Sequence, residues 1–232
     1  MPSELLIVVP ARSRPQNIRR VLAAWDDTAA WDHADLRVEV DADDPTLPDY
    51  QAIDLRPGAR MTVADVWRPL VPKLERVVAE ELDSYWAVGF AGCDHVPETP
   101  GWAKTYLDEL RDLGSGIVYG DDGYQHENTP TQWAMTADIV RTLGRMVPAQ
   151  VEHMYCDDAV RDLGRKAGCI RYLPDVMIRH HHPAAGIGGY DEQYRRVNSS
   201  DQYRRDRNTY RRWSNNELPR QVAALKKLRA AG

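Results

Sequence analysis

Cysteine is scarce in this sequence, and its cysteines are not paired in any metal-binding motif. Cys93, Cys156 and Cys169 make an odd number, and none belongs to a C-x-x-C pair. This pattern indicates neither a disulfide framework nor a zinc ribbon. We therefore expect the three thiols to stay reduced.

Long hydrophobic runs are also missing. No apolar run approaches the roughly 18 residues that a membrane-spanning helix needs. The N-terminus, MPSELLIVVPARSRP, carries its first basic residue after the apolar segment, unlike a secretory signal peptide. We therefore expect no membrane span and a cytoplasmic location.

What the sequence does have is an ordinary globular composition with an uneven distribution of charge. The 232 residues are 43% hydrophobic, with 30 basic and 35 acidic side chains. Residues 190–232 hold 11 of the basic and 5 of the acidic residues, so this segment is positive and the remainder is negative. Such a segment is typical of a solvated helical face, and it also suits contact with a phosphate-bearing ligand or an acidic partner.

Strands and helices are predicted to alternate along the chain. Residues 4–9 form a short β-rich run that Pro10 stops, and residues 15–25 have the apolar spacing of a helix. Residues 36–40 alternate apolar and polar before an acidic turn, which predicts a second strand parallel to the first. The same patterns predict further strands at residues 85–90, 116–119, 133–136 and 171–178, and further helices at residues 63–82, 102–113, 137–143 and 157–167.

Chemically active side chains follow several of these predicted strands. In an open α/β sheet, ligands bind beyond the carboxyl ends of the strands, so residues just after each apolar run are candidates for a site. Arginines, carboxylates and histidines that converge there suit a phosphate-bearing ligand and a divalent metal. The candidates are Arg12 and Arg14, Asp41 to Asp44, Asp94 and His95, Asp121 and Asp122, and His180 to His182.

Several motifs together resemble a known family. The opening IVVPARSRPQNIRRVLAAW resembles the first strand, loop and helix of family 2 type glycosyltransferases of the GT-A fold. Later segments follow that family's order: VEVDADDP after the second strand, FAGCDHVPETPGW at its DXD-type metal motif, CDDAVRDLGRKAG at its acid pair, and a late histidine. The resemblance spans roughly residues 4–183. More narrowly, VYGDDGYQHENTPTQWAMT and IRYLPDVMIRHHHPAAG are similar to glycosyltransferases encoded by tailed phages of actinobacteria.

This resemblance implies an α/β fold of the GT-A (Rossmann-like) type, with a mixed, mostly parallel sheet flanked by helices. Residues 1–185 are then the nucleotide-sugar-binding and catalytic domain, and residues 186–232 a helical C-terminal extension. The glycine-rich segment at residues 185–189 is the candidate linker between them.

The resemblance also implies a nucleotide site around the first loop. Its positions are carried over to Pro10, Arg12 and Arg14 in the loop and to Asp41 or Asp43 as the acid that binds the base or ribose. Arg60, which precedes a predicted helix, is a further nucleotide-binding candidate.

The resemblance implies a metal site at Asp94 with at least one of His180 and His182. Side chains alternate along a strand, so of three adjacent histidines only His180 and His182 point the same way. Cys93 departs from the family motif, because a DXD pattern places a carboxylate nearby. Mn²⁺ is expected rather than Mg²⁺, since Mn²⁺ tolerates histidine better, and zinc is not expected. The alternative for Asp94 is a turn acid before Pro97 without a metal.

Asp157 falls on the second acid of the family's acid pair, the general base of an inverting transfer, and Cys156 replaces the first acid. Asp158 is the alternative base. Both acids also suit a helix N-terminus with no catalytic part. Asp121 and Asp122, with nearby aromatic residues, are either an acceptor wall or a plain turn.

The resemblance implies an inverting hexosyl- or pentosyltransferase that moves a sugar from a UDP- or GDP-linked donor to an acceptor hydroxyl. The acceptor is a protein, a glycan or modified DNA, and the location is the host cytoplasm if the protein is phage-encoded. A homo-oligomer stays an open option. The alternative function is a non-catalytic module of the same fold that binds nucleotide or nucleic acid. Its basic C-terminal extension would then contact the nucleic acid.

Overall fold

A computed structural model describes residues 3–187 and 189–231, so Gly188 of the predicted linker lies outside the described residues. Strands and helices alternate as far as the last strand, and the rest is helical. The strands are β1 (Leu5–Pro10), β2 (Ala34–Asp41), β3 (Ala59–Ala64), β4 (Ala87–Phe90), β5 (His95–Pro97), β6 (Ile117–Asp121), β7 (Trp133–Thr136) and β8 (Ile170–His180). The helices are α1 (Pro15–Asp27), α2 (Leu47–Gln51), α3 (Leu70–Glu81), α4 (Trp102–Leu113), α5 (Ala137–Leu143), α6 (Cys156–Ala167), α7 (Glu192–Val197), α8 (Ser200–Asn216) and α9 (Leu218–Ala231).

The strands form one mixed sheet in the order β3-β2-β1-β4-β7-β6-β8-β5. The pairs β1–β2, β2–β3, β1–β4 and β6–β8 are parallel, whereas β4–β7, β6–β7 and β5–β8 are antiparallel. This mixed, mostly parallel α/β sheet flanked by helices confirms the predicted fold class.

The sheet divides the core into two layers because side chains alternate along each strand. In β1, Ile7 and Val9 face the layer covered by α1 and α4. Leu6 and Val8 face the opposite layer, covered by α3, α5 and α6. Burial on both faces explains why the opening strand is a continuous apolar run.

The predicted helix over residues 63–82 is wrong in its first part. Residues up to Ala64 belong to β3, which pairs in parallel with β2, and the helix begins only at Leu70. The β-branched Thr62 and Val63 favour a strand, and Pro69 is excluded from a helix interior because it lacks an N–H. The helical apolar spacing therefore belongs to residues 70–81 alone.

Helices α8 and α9 pack on the same layer as α5 and α6. Their residues Trp213, Leu218 and Leu225 are buried in that apolar cluster. None of the described helices is both long and apolar enough to span a bilayer.

Candidate functional site

A cleft of about 410 Å³ opens at the carboxyl ends of β1, β4 and β8. The loop after β1, the segment before α3 and the first turn of α6 form its base and sides. Helix α7 and the start of α8 complete its wall. Its charged lining is mainly cationic: Arg12, Arg14, Arg68, Lys73, Arg196 and Arg205, with the carboxylates of Asp94 and Asp157.

The acids that follow β2 pair with cations that line the cleft, including Arg12 in the loop after β1. Asp41 is fully buried and accepts hydrogen bonds from Arg12 (3.0 Å) and from Lys73 (2.8 Å). Asp43 is exposed and accepts from Arg12 at 2.7 Å. Neither acid is among the described residues that line the cleft, whereas Arg12 and Lys73 are. In this arrangement the two acids orient the cations that face the ligand space.

The rest of the first loop is tied to the same segment. Ser13 has a left-handed φ of 56°, and its N–H donates to Asp44 at 2.8 Å. The N–H of Arg14 donates to the hydroxyl of Tyr50 at 2.9 Å. Helix α1 then begins at Pro15, which suits a first helical position because its missing N–H would have no partner there. The loop is therefore held by the chain around it before any ligand binds.

Arg14 connects this loop to the segment before α7. Its guanidinium donates to both carboxylate oxygens of Asp191, at 2.6 and 2.8 Å, and lies 3.5 Å from Asp94. Burial disfavours the charged guanidinium, but the Asp191 hydrogen bonds and nearby negative charges outweigh it, so the pKa of Arg14 is raised. Arg14 stays cationic and is already held in a fork geometry.

The structure brings Asp94, His95 and His180 together as a candidate metal centre. Each offers a ligand atom, and these atoms lie within 4.8 Å of one another. The two imidazole rings stack with centroids 4.0 Å apart because β5 and β8 pair with His95 opposite His180. Burial opposes the charged form of Asp94, but its contacts with His95, His180 and Arg14 prevail and lower its pKa.

The donor chemistry of this cluster fits a divalent ion. One carboxylate and two imidazoles suit borderline transition metals better than Mg²⁺ or Ca²⁺. Nε2 of His95 and Nδ1 of His180 are buried without a hydrogen-bond partner. Burial, with the nearby Asp94 charge, raises the pKa of the Cys93 thiol to about 11, so this neighbour stays protonated rather than offering a thiolate.

His95 was not among the predicted metal residues, although the sequence places it directly after Asp94. Its position opposite His180 comes from the β5–β8 pairing, which the sequence pattern did not predict. His182, which was predicted, lies next to the cluster: its ring centroid is 4.8 Å from that of His180, and its Nδ1 accepts from the N–H of Ala184 at 3.1 Å. His181 points elsewhere and contacts Arg20 at 3.3 Å.

Asp122 lies behind His180. One Asp122 oxygen is 3.7 Å from Nδ1 of His180, while Nε2 of the same ring is 3.7 Å from Asp94. Asp122 is 2% exposed and also accepts from Thr131 and from the N–H groups of residues 124–126. Asp122 and Asp94 therefore lie on opposite sides of the His180 ring, each beyond direct hydrogen-bond distance.

Asp157 lies in the first turn of α6 and faces the cleft. Tyr155 precedes the helix with a left-handed φ of 66°. Burial raises the pKa of Asp157 to about 6, and the neighbouring charge of Asp158 adds to this rise. Asp158 pairs instead with Arg161 at 2.8 Å. Asp157 is thus the acid whose proton affinity suits base chemistry near neutral pH.

A buried acid on α8 holds the loop that leads to Asp157. Asp206 is 2% exposed, and its carboxylate accepts from the N–H groups of Glu152, His153 and Met154 at 2.8 to 2.9 Å. These bonds hold the backbone of this part of the cleft wall, which ends at Met154, two residues before α6. The sequence pattern did not predict this role, because Asp206 stands within an otherwise basic, polar helix.

Three further basic residues differ in their position relative to the cleft. Lys73 and Arg68 line the cleft, although the sequence patterns did not predict them as site residues. Arg60 is exposed near the amino-terminal end of β3, opposite Arg37 in the β2–β3 register, and is not among the described cleft residues. Three predicted residues lie outside the described lining of the cleft: Asp41, Asp43 and Arg60. The structure brings the other predicted residues to one cleft: Pro10, Arg12, Arg14, Asp94, Asp157, His180 and His182.

No protein-family model and no curated protein sequence matches the chain. Solved structures are similar in fold. A mannosyltransferase from Pyrobaculum calidifontis, PcManGT, in complex with GDP-Man and Mn²⁺, is 13% identical with a TM-score of 0.57, over 98% of this chain and 74% of that one. A fragment of S. aureus TarS in complex with UDP-GlcNAc is 12% identical with a TM-score of 0.51, over 84% and 64%.

A third similar structure comes from Desulfovibrio desulfuricans G20, and its assignment as a nucleotide-diphospho-sugar transferase is itself provisional. It is 15% identical with a TM-score of 0.50, over 91% of this chain and 98% of that one. At these identities the likeness establishes the fold. The chain has the GT-A-like fold of nucleotide-sugar glycosyltransferases.

Proposed function

We propose that this protein is a glycosyltransferase that moves a hexosyl or pentosyl group from a UDP- or GDP-linked sugar to an acceptor hydroxyl, with inversion. The observation that carries the proposal is one cleft at the strand ends that holds a surplus of cations, an Asp-His-His cluster and a carboxylate with a raised pKa. The GT-A-like fold and the nucleotide-sugar ligands of its structural neighbours support the same activity.

In this proposal the first loop binds the diphosphate. Arg12 and Lys73 are oriented from below by buried Asp41, and Arg14 contributes a guanidinium fork that matches phosphate oxygens. Asp94, His95 and His180 would hold a divalent metal, with Mn²⁺ preferred over Mg²⁺. When bound, that ion would neutralise negative charge on the diphosphate.

Asp157 is the proposed general base. Its carboxylate takes the proton of the acceptor hydroxyl while the acceptor oxygen forms a bond to the anomeric carbon. The bond from that carbon to the diphosphate breaks on the opposite face, and the electron pair leaves with the diphosphate, which the arginines and Lys73 stabilise. The proton ends on Asp157.

The matched pair Asp157→Asn and Asp158→Asn tests this assignment. Both changes remove one charge from the same helix turn, but Asp158 is engaged with Arg161. We expect Asp157→Asn to bind UDP or GDP with Mn²⁺ normally in calorimetry and to lower transfer by about two to four orders of magnitude. Asp158→Asn should cost much less. Full activity of both variants, or loss only in Asp158→Asn, would overturn the assignment.

The same measurement decides the alternative of a non-catalytic module. Diphosphate release from a panel of nucleotide sugars is expected for an enzyme, and nucleotide binding without any release would favour the binding module. The motifs of phage type at residues 118–136 and 170–186 support a phage-encoded enzyme that works in the host cytoplasm, as part of this proposal.

A division into a catalytic domain, residues 1–185, and a C-terminal extension also belongs to the proposal. Helices α7 and α8 supply one wall of the cleft, so the extension would complete the site rather than act as a separate module.

A further inference from the structure

The solvent face of α8 is strongly basic. An α-helix turns about 100° per residue, so its arginines can be placed relative to its buried side. Asp206 and Trp213 are buried and mark the inner side. The arginines occupy the arc facing away from it and are all exposed: Arg204, Arg205, Arg207, Arg211 and Arg212.

This face carries little opposing charge. Asp201 pairs with Arg204 at 2.7 Å, and Glu152 lies 3.9 Å from Arg205. The other acid of α8, Asp206, is turned inward and is used by the backbone of the loop before α6. Among the described residues of α8, the outer face therefore keeps a surplus of positive charge.

The basic face is joined to the cleft. A shallow groove of about 680 Å³ runs along α8, and Arg205 lines both this groove and the cleft. Asp206, at the floor of the groove, fixes the loop that leads to Asp157. A chain that lies in the groove therefore reaches the cleft at Arg205. The groove is lined by Gln150, Glu152, Arg205, Asp206, Asn208, Thr209, Arg211 and Arg212.

Exposed aromatic rings lie in the segment that leads into α8 and in its first turn. Tyr203 lines the cleft and is 44% exposed, and Tyr155 packs against it edge to face at 6.5 Å. Tyr190 is 58% exposed and contacts Tyr194 at 5.1 Å. Exposed rings beside a row of arginines make the combination that binds single-stranded nucleic acid, because bases stack on the rings and phosphates pair with the guanidinium groups.

We propose that the acceptor of the transfer is a single strand of nucleic acid that carries a free hydroxyl on a sugar or on a base. Its phosphates lie along the arginines of α8, and the target nucleotide passes Tyr203 toward Asp157. This inference rests on the proposed function for its chemistry: the strand's hydroxyl loses its proton to Asp157 as its oxygen bonds to the anomeric carbon and the diphosphate leaves. The binding surface itself is independent of the donor.

The size of the surface gives a measurable expectation. From Arg204 to Arg212 the helix rises about 12 Å, which is enough for about three or four phosphates. Each neutralised phosphate of a single strand contributes about −0.7 to the slope of log K against log salt concentration. We expect a slope of about −2 to −3 for a labelled 20-nucleotide oligo(dT), measured by fluorescence anisotropy on the full chain.

A charge-reversal pair tests the location. Arg207→Glu/Arg211→Glu/Arg212→Glu changes the α8 face, and Arg220→Glu/Lys226→Glu/Lys227→Glu makes the same charge change at exposed positions of α9. We expect the α8 variant to lose at least about tenfold in oligo(dT) affinity and to flatten the salt slope, and the α9 variant to change both much less. Equal losses would overturn the α8 location.

Competitors test the kind of partner. Tyr203→Ala should weaken oligo(dT) about tenfold and a 20-base-pair duplex much less, because stacking is available only to unpaired bases. Inorganic polyphosphate that binds as tightly as oligo(dT), or a duplex that binds more tightly, would overturn the assignment to a single strand.

UDP and GDP binding with Mn²⁺ is measured on the same samples, which separates the two proposals. Nucleotide binding without oligo(dT) binding overturns this inference and leaves the proposed function standing. Oligo(dT) binding without nucleotide binding or diphosphate release from any sugar donor overturns the proposed function and the acceptor role, and leaves only a nucleic-acid-binding surface.

Discussion

Asp122 and Asp94 face opposite nitrogens of His180, each with an oxygen 3.7 Å from the ring. A carboxylate behind a ligating histidine fixes the ring's orientation and its tautomer, which raises its strength as a ligand. Asp122 itself accepts hydrogen bonds from Thr131 and from three consecutive N–H groups. These bonds hold its carboxylate in place beside the His180 ring. We therefore expect Asp122 to position His180 for the candidate metal centre.

Asp122→Asn is therefore expected to weaken Mn²⁺ binding by about 10- to 100-fold, because the amide keeps the shape but loses the charge that orients His180. Mn²⁺ affinity can be measured by electron paramagnetic resonance of free Mn²⁺ in the absence of nucleotide. The control is Asp121→Asn, whose carboxylate instead accepts from Tyr172 at 2.7 Å and contacts His126. Equal Mn²⁺ affinities in both variants would show that Asp122 has no such role.

The proposed transfer activity should fall as the pH drops through about 6. A general base works only in its deprotonated form, and burial raises the pKa of Asp157 to about 6, so its charged fraction is lost below that value. A profile of kcat/KM against pH, with the donor at fixed Mn²⁺, is expected to show an ascending limb near pH 6. A limb near pH 4, the ordinary range of a carboxyl group, would indicate that Asp157 is not the group that titrates.

Lys73→Met is expected to lower the free energy of unfolding by about 3 kcal/mol, because among the described residues it leaves the fully buried Asp41 with Arg12 as its one cationic partner. Urea denaturation at neutral pH measures the change. The control, Lys104→Met, removes an exposed pair with Asp108 and should cost less than about 1 kcal/mol. Similar losses in the two variants would contradict the role of Lys73 beneath the first loop.

Asp206→Asn should lower both stability and transfer. Replacing a buried carboxylate that accepts from three N–H groups is expected to cost about 3 kcal/mol in urea denaturation. Transfer should fall in kcat more than in the KM for the donor, since the loosened loop leads to Asp157. The exposed Asp201→Asn serves as the comparison on the same helix. A variant that loses stability but keeps its kcat would limit Asp206 to a structural role.

Much of the fold could be predicted because its strands are buried on both faces. Continuous apolar runs such as the one in β1 can be recognised as strands in the sequence. The helix over Trp102–Leu113 has the bounds that its periodicity predicts. The short β3 was missed because Ala59–Ala64 is a sheet edge with exposed side chains at Arg60 and Val63. Its pattern there merges with that of the following helix.

Some residues of the candidate site could likewise be predicted from the sequence, and others could not. Arg12, Arg14 and Asp94 could be proposed because they directly follow strands, where ligands bind in such sheets. His95 as a partner of His180 required the antiparallel β5–β8 pairing, which joins residues 85 positions apart and leaves no local signal. The roles of Lys73 and Asp206 depend on burial of single charged residues, which sequence periodicity does not reveal.

The bond between Arg14 and Asp191 joins residues 177 positions apart in the chain. During synthesis at about 5 to 20 residues per second, Arg14 is added to the chain about 9 to 35 s before Asp191. The sheet already has all its strands once His180 has been added. The last strand therefore emerges from the ribosome before α7 and α8 do, so the sheet can assemble before one side of the cleft has emerged. Until the segment with Asp191 follows, the guanidinium of Arg14 has Asp94 as its acidic neighbour.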